Sequence, residues 1–337
     1  MIKLLHNMEN PPKNTEQTHE NYLLYNAKFF LVFLIVFGHF IAPFTEYNIY
    51  YKTLYLFIYT FHIPMFIFIS GIFSKKEIAK EEIKKYTANL ILPLIIFQTL
   101  YSLFDFYITD NFSFYNFIFI PYWILWYLLS LFFWKIILPY ALKIKYILPV
   151  SILLSAIIGY LPIDGYFLSL SRTVVFFPIF LLGHYATPNF FSNIKFKGDK
   201  ILSIFIIAGF LLFFYANTSI DYRWLYGAIN YSSLGNPQWY AGIYRLFLMA
   251  GSLLLGISAI KLIPAGKNYF TSLGKNSLAV YLWHGFIIKF FKTTLLIILI
   301  YKTGTAYSLA IILLASLAIA LLLSQNLFTD FTKKYLK

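Results

Sequence analysis

Leu23-Leu-Tyr-Asn-Ala-Lys28-Phe-Phe-Leu-Val-Phe-Leu-Ile-Val-Phe-Gly-His39-Phe-Ile-Ala-Pro43 is long and apolar enough to cross a bilayer as a single helix, which takes roughly 20 residues. Nine more runs of this kind follow, near 54–73, 88–106, 121–140, 146–161, 172–188, 200–216, 241–262, 277–299 and 305–325, separated by polar breaks. Composition agrees with them. Of 337 residues 60% are hydrophobic and 12% charged, with a mean hydropathy of +0.71, whereas a soluble protein keeps nearer a quarter of its residues charged. The runs show neither two-residue alternation nor regular turn spacing, which argues against an outer-membrane barrel. The expectation is therefore an all-α, polytopic integral membrane protein of about ten transmembrane helices, with a polar tail over 1–22 and a membrane domain over 23–337. The tail lacks the apolar stretch of a cleavable signal, so the first span is expected to direct insertion. With no cysteine there is no disulfide framework, thiolate nucleophile or cysteine-ligated metal.

The net charge of +14 is distributed by topology and not as a nucleic-acid footprint, so no nucleic-acid partner is expected. The loop Lys75–Lys85 holds five lysines, which places it in the cytoplasm by the positive-inside rule. Alternating sides from there puts both termini in the cytoplasm. It also gathers 20 of the 27 basic residues on or near that side. The opposite side carries the long loop Asn217–Tyr240, rich in Tyr, Trp, Asn, Ser and Gly, with Asp221 and Arg223. Such a surface suits stacking and hydrogen bonding to sugars; an interfacial aromatic belt has the same composition. No inverted repeat of the transporter kind is visible.

Ionisable side chains inside spans are costly, which makes each a functional candidate. His39, His62, His184 and His284 fall within the expected spans. Lys28 precedes His39 by eleven residues, close to three helical turns, so the two share one face roughly 16 Å apart. A ligand lying along that face would keep its phosphates at the lysine and its reactive end at the imidazole. A snorkelling lysine and a structural histidine would give the same pattern. His62 opens the second span in Phe61-His62-Ile63-Pro64-Met65-Phe66. In an antiparallel hairpin it comes to the depth of His39 and faces it. Two imidazoles there can support general acid–base chemistry or a proton relay. Pro64 is expected within the first turns of its span, where its missing N–H costs least. Gly38 and Gly71 would permit close helix approach. Four intramembrane histidines without a carboxylate cluster do not compose a metal site. His184 reads as interfacial.

The Lys28/His39 spacing, the Phe-His-Ile-Pro-Met-Phe run and Phe68-Ile-Ser70-Gly71 resemble the acyltransferase-3 family of membrane acyltransferases, closest in flavour to its fucose 4-O-acetylase-like branch. Three later segments are similar to family helices: Trp123-Ile-Leu-Trp126-Tyr-Leu-Leu-Ser130-Leu, Ser171-Arg172-Thr-Val-Val-Phe-Phe-Pro178-Ile-Phe-Leu-Leu-Gly183, and Gly274-Lys-Asn276-Ser277-Leu-Ala-Val-Tyr281-Leu-Trp-His284. The resemblance implies a multi-pass enzyme of the bacterial cytoplasmic (inner) membrane. Its donor would be cytoplasmic acetyl-CoA, and its acceptor a hydroxyl of a glycan or lipid-linked glycan presented among membrane lipids. His39 maps to the family's leading catalytic candidate and Lys28 to its basic partner. His62 joins His39 as a catalytic candidate. Lys75, Lys76, Lys84 and Lys85 stand where the family often has arginines; they can hold CoA phosphates as point charges but lack the bidentate fork. Arg172 is a candidate for an acceptor phosphate or carboxylate, with a snorkelling arginine as its plain alternative. Ser70, Trp126, Asn276 and His284 complete the acceptor candidates. A glycan or lipid transporter or flippase, with the histidines as a proton pathway, is the rival of a different class.

Overall fold

The computed structural model describes residues 21–110, 112–194, 198–294, 299–300 and 302–335. The tail before Asn21 and the basic positions Lys195 and Lys197 lie outside them. No strand occurs among the described residues. Ten principal helices follow the expected spans: α1 Tyr22–Ile41, α2 Ile49–Ile72, α3 Leu92–Thr109, α4 Trp126–Ala141, α5 Ile147–Ile157, α6 Leu170–Tyr185, α7 Asp199–Ala216, α8 Ala241–Lys261, α9 Ser277–Thr293 and α10 Thr305–Leu323. Among the described residues, seven stretches are long and apolar enough to cross a membrane: those containing α1, α2, α3, α6, α7, α8 and α10. The α4, α5 and α9 helices are shorter.

Helix ends collect into two sets. At one, the lysine-loop end, Asn26 donates to the Pro264 and Gly266 carbonyls at 2.7 and 3.0 Å, Ser74 meets His184 at 2.9 Å, and Asn276 donates to the Ser324 carbonyl at 2.8 Å. At the other, the far end, Asn48 donates to Thr305 at 2.9 Å, Tyr51 meets Ser308 at 2.5 Å, and Tyr55 meets Tyr226 at 2.8 Å. With no water in a bilayer core, such internal bonds are what buried polar groups require. Helices α1 and α2 run through the middle of the bundle and bury most of their side chains. Helix α7 instead leaves Ile201, Phe205 and Leu212 exposed, as a lipid-facing helix does.

Two boundaries depart from expectation, and both shape the site. Helix α2 begins at Ile49, because the Asn48 side chain accepts the Tyr50 N–H at 2.9 Å and caps the helix. The polar Lys52 and Thr53 had hidden this first turn. Pro64 is therefore the sixteenth residue of α2, deep in its interior, and not near its start. The expected fourth span opens with a folded segment, and α4 begins only at Trp126. Buried Gln98 on α3 holds that segment. Its amide donates to the Phe117 and Ile120 carbonyls at 3.1 and 3.0 Å and accepts the Tyr122 N–H at 2.7 Å.

Helices α2 and α6 touch through backbone. A methyl group on Gly71 would lie 2.9 Å from the His184 nitrogen, and one on Gly183 would lie 2.8 Å from the Phe68 carbonyl carbon. Backbone cannot swing aside as a side chain can, so any larger residue must push the helices apart. Gly183→Val is expected to lower stability by about 1–3 kcal/mol or more, read as a fall in thermal unfolding temperature in detergent. Gly209→Ala on α7, where an added methyl meets nothing within 4 Å, should leave it unchanged or slightly raised.

Candidate active site

At the far end a cavity of about 400 Å³ opens between α1, α2, the 120–127 segment, α6 and α9. His39 and His62 both line it, with Tyr59 between them. The Tyr59 hydroxyl lies 3.0 Å from His39 Nδ1, and its ring meets the His62 ring edge-on at 4.8 Å. Gly38 makes this possible, because a methyl group there would stand 2.9 Å from Tyr59 Cε2. Tyr55 stacks on Tyr59 with centroids 3.8 Å apart, and its hydroxyl reaches Tyr226. A file of phenols therefore leads from the His39 ring to the far-end loop.

The three imidazoles differ in what their hydrogen bonds dictate. His62 Nδ1 donates to the Ile58 carbonyl at 2.6 Å, and His284 Nδ1 donates to the Val280 carbonyl at 2.9 Å. Each therefore keeps its lone pair on Nε2. His284 Nε2 is buried with no hydrogen-bond partner, and its ring stacks on His39 with centroids 5.5 Å apart. His39 alone uses Nδ1 on a side-chain hydroxyl, which can give or accept a proton. Its other neighbour is Trp123, 4.5 Å away and edge-on. Trp123 has φ of +31°, a backbone setting that L-residues rarely adopt. The Gln98 bonds hold the chain just before it in that shape.

Two cations complete the lining. Arg172 on α6 donates from Nε to the Tyr226 carbonyl at 3.2 Å, and its guanidinium lies 4.8 Å from the Tyr166 ring and 4.9 Å from the Trp126 ring. Lys292 on α9 lies 5.2 Å from the Trp123 ring centroid. Among the described residues, no aspartate or glutamate lines the cavity. The far-end loop is fixed above it by Ser171, which donates to the Gly227 carbonyl at 2.8 Å.

The expected catalytic and acceptor residues divide into three groups. His39, His62, Trp126 and Arg172 line the cavity, and His284 backs it. Ser70 lies behind the wall: it donates to the Phe66 carbonyl at 2.9 Å and meets the hydroxyl of the lining residue Tyr127 at 2.6 Å. Asn276 is not at the cavity. It stands two helical turns before His284, about 12 Å along the axis, and ties the start of α9 to the end of α10.

The expected phosphate-binding lysines gather at the lysine-loop end. Lys28 is half-buried with its ammonium 4.2 Å from the Phe73 ring. Lys75 pairs with Glu82, whose hydrogen bond and charge raise the ammonium above its ordinary range. Lys76, Lys84 and Lys85 are exposed. Along α1 and α2, between the depth of this cluster and that of the cavity, lie the fully buried Leu31, Val32 and Met65 and the Ser70–Tyr127 pair.

Sequence reasoning passed over Tyr59, Tyr226, Trp123 and Lys292. Lys292 carried a signal, since it falls inside an expected span and eight residues after His284, close to the same helix face. Lys135 on α4 was also passed over as a site residue. It lies near enough for its charge to act on Lys28. The tyrosines carried no signal in a chain with 29 of them.

No curated protein and no solved structure matches the chain. A family model described as an acyltransferase domain does match, over residues 22–325, a range that takes in every motif and the whole of the cavity. The chain belongs to the acyltransferase-3 family of membrane acyltransferases.

Proposed function

We propose that this chain moves an acetyl group from acetyl-CoA to a hydroxyl of a cell-surface glycan or glycolipid, with His39 as general base. The observation that carries the reading is the setting of His39 in the cavity. A tyrosine hydroxyl sits on Nδ1, and room for a sugar lies beside the ring. With Nδ1–H donating to Tyr59, the Nε2 lone pair is the base. The acceptor O–H gives its proton to Nε2 as its oxygen bonds the thioester carbonyl carbon. The C–S bond then breaks, and the CoA thiolate takes the proton back from the imidazolium. His62 and His284, each bonded through Nδ1 to a backbone carbonyl, border the pocket as neutral rings and add no negative charge. Arg172 and Trp126 receive the acceptor.

The donor's phosphates are assigned to the lysine-loop end, roughly 16 Å from His39 along α1, a distance its pantetheine arm spans to bring the thioester to the cavity. Lys28, Lys75, Lys76, Lys84 and Lys85, joined by Lys135, form an anion-attracting rim there. The positive-inside bias makes that end cytoplasmic, in a bacterial inner membrane, where acetyl-CoA is available. Membership in a family of acyltransferases favours this reading over transport.

Two measurements test it. Purified protein in detergent is incubated with radiolabelled acetyl-CoA and crude envelope glycans. Wild type is expected to label glycan, and His39→Ala to lose roughly 10²–10⁴ of the rate with its unfolding temperature and elution unchanged. Full transfer by His39→Ala would remove His39 from the mechanism. Tyr59→Phe removes one neutral hydrogen bond of about 1 kcal/mol from the base, so kcat should fall about five- to tenfold while the KM for acetyl-CoA stays the same.

A further inference from the structure

The charges around the cavity do not balance. Arg172 is 8% exposed, and Lys292, exposed in the last turn of α9, lies against Trp123; both line the same 400 Å³ space, together with neutral imidazoles, phenols and indoles. Neither is salt-bridged to a carboxylate among the described residues. The other cation of this wall, Lys289, is different. It pairs with Asp105, which also accepts from Tyr122, in an adjoining polar chamber that shares Trp123 with the cavity. That acid is already engaged with Lys289 and Tyr122.

Holding a buried cation such as Arg172 in a low-dielectric space is costly unless a counter-charge offsets it. Intramembrane charges that the protein leaves unpaired mark the path or seat of a ligand. An oxyanion at the thioester carbon is a single charge that exists only in the transition state, so it leaves one cation uncompensated at all times and both in the resting complex. The guanidinium also has the right form for a standing anion. Its Nε is committed to the Tyr226 carbonyl and its plane is held at Trp126 and Tyr166, which orients the remaining fork for bidentate bonding to a carboxylate or phosphate.

We infer that the acceptor is an acidic sugar unit, one that carries a carboxylate or phosphate which Arg172 and Lys292 bind while a hydroxyl of the same unit is presented to His39. This rests on the acyl-transfer reading for the role of His39, but the anion site itself does not depend on it.

The test compares matched ligands on the purified protein in detergent, at constant ionic strength, by thermal stabilisation: glucose, glucuronate and glucose 6-phosphate. At least one anionic ligand is expected to reach half-saturation at a concentration about tenfold or more below that of glucose, since a hydrogen bond to a charged group is worth roughly 1.5–3 kcal/mol. Comparing the two anions tells carboxylate from phosphate. Arg172→Gln and Lys292→Met should each abolish the difference, and Arg172→Lys should restore part of it. The inference is overturned if neither anion binds better than glucose, or if the preference survives both neutral variants. In the labelling assay Lys292→Met should raise the acceptor KM. A fall in kcat with an unchanged acceptor KM would instead assign that charge to the thioester and also overturn the inference. Anion binding without any acetyl transfer would leave this site standing and remove the proposed reaction.

Discussion

Helices α2 and α6 meet backbone to backbone at Gly71 and Gly183, and most of the site hangs from that contact. Helix α2 carries Tyr55, Tyr59 and His62, and α6 carries Arg172, so the contact near the lysine-loop end sets how α2 and α6 stand at the cavity wall. In lipid there is little hydrophobic force to press helices together, and association relies on close van der Waals packing. Two glycines facing each other's backbone give the tightest such packing. Further bonds fix α6 against α4, where Trp134 donates to the Thr173 carbonyl and Ser130 meets Thr173, both at 2.8 Å. The cavity thus sits at the open end of a clamp.

Polar side chains supply the rest of the frame, and each is used several times. Gln98 serves three backbone groups at once and so allows a stretch of non-helical chain at membrane depth, which is tolerated where its backbone groups are bonded inside protein. That stretch delivers Trp123 in a strained conformation against His39, an instance of strain kept where a site needs it. Asn26 has the same economy at the other end, bonding two carbonyls and accepting from Thr271 at 2.7 Å.

Apolar runs revealed where the helices lie because a bilayer demands them, and the Lys28/His39 spacing revealed a face because helical geometry is rigid. Other features were hidden for specific reasons. The start of α2 was obscured by Lys52 and Thr53, polar residues inside a helix whose cap is a single asparagine, and Pro64 was misplaced with it. The opening of the fourth span read as helix because Tyr122–Leu125 is apolar; the residue that unfolds it, Gln98, is remote in sequence. Asn276 sat in a recognisable motif beside His284, yet two helical turns carry it out of reach. The stacking of His284 on His39 joins residues 245 positions apart, and no local pattern could announce it.

The side chains on the lysine-loop side of the cavity have an electrical consequence. Imidazoles and phenols can hand protons from one to the next, but Leu31 and Val32 on α1 and Met65 on α2 are buried and carry no ionisable group. Tyr127 meets Ser70, and Ser70 donates to the Phe66 carbonyl, an acceptor with no proton to pass on. Along α1 and α2 the imidazoles are therefore coupled to the phenols of the far end and not to the lysine cluster.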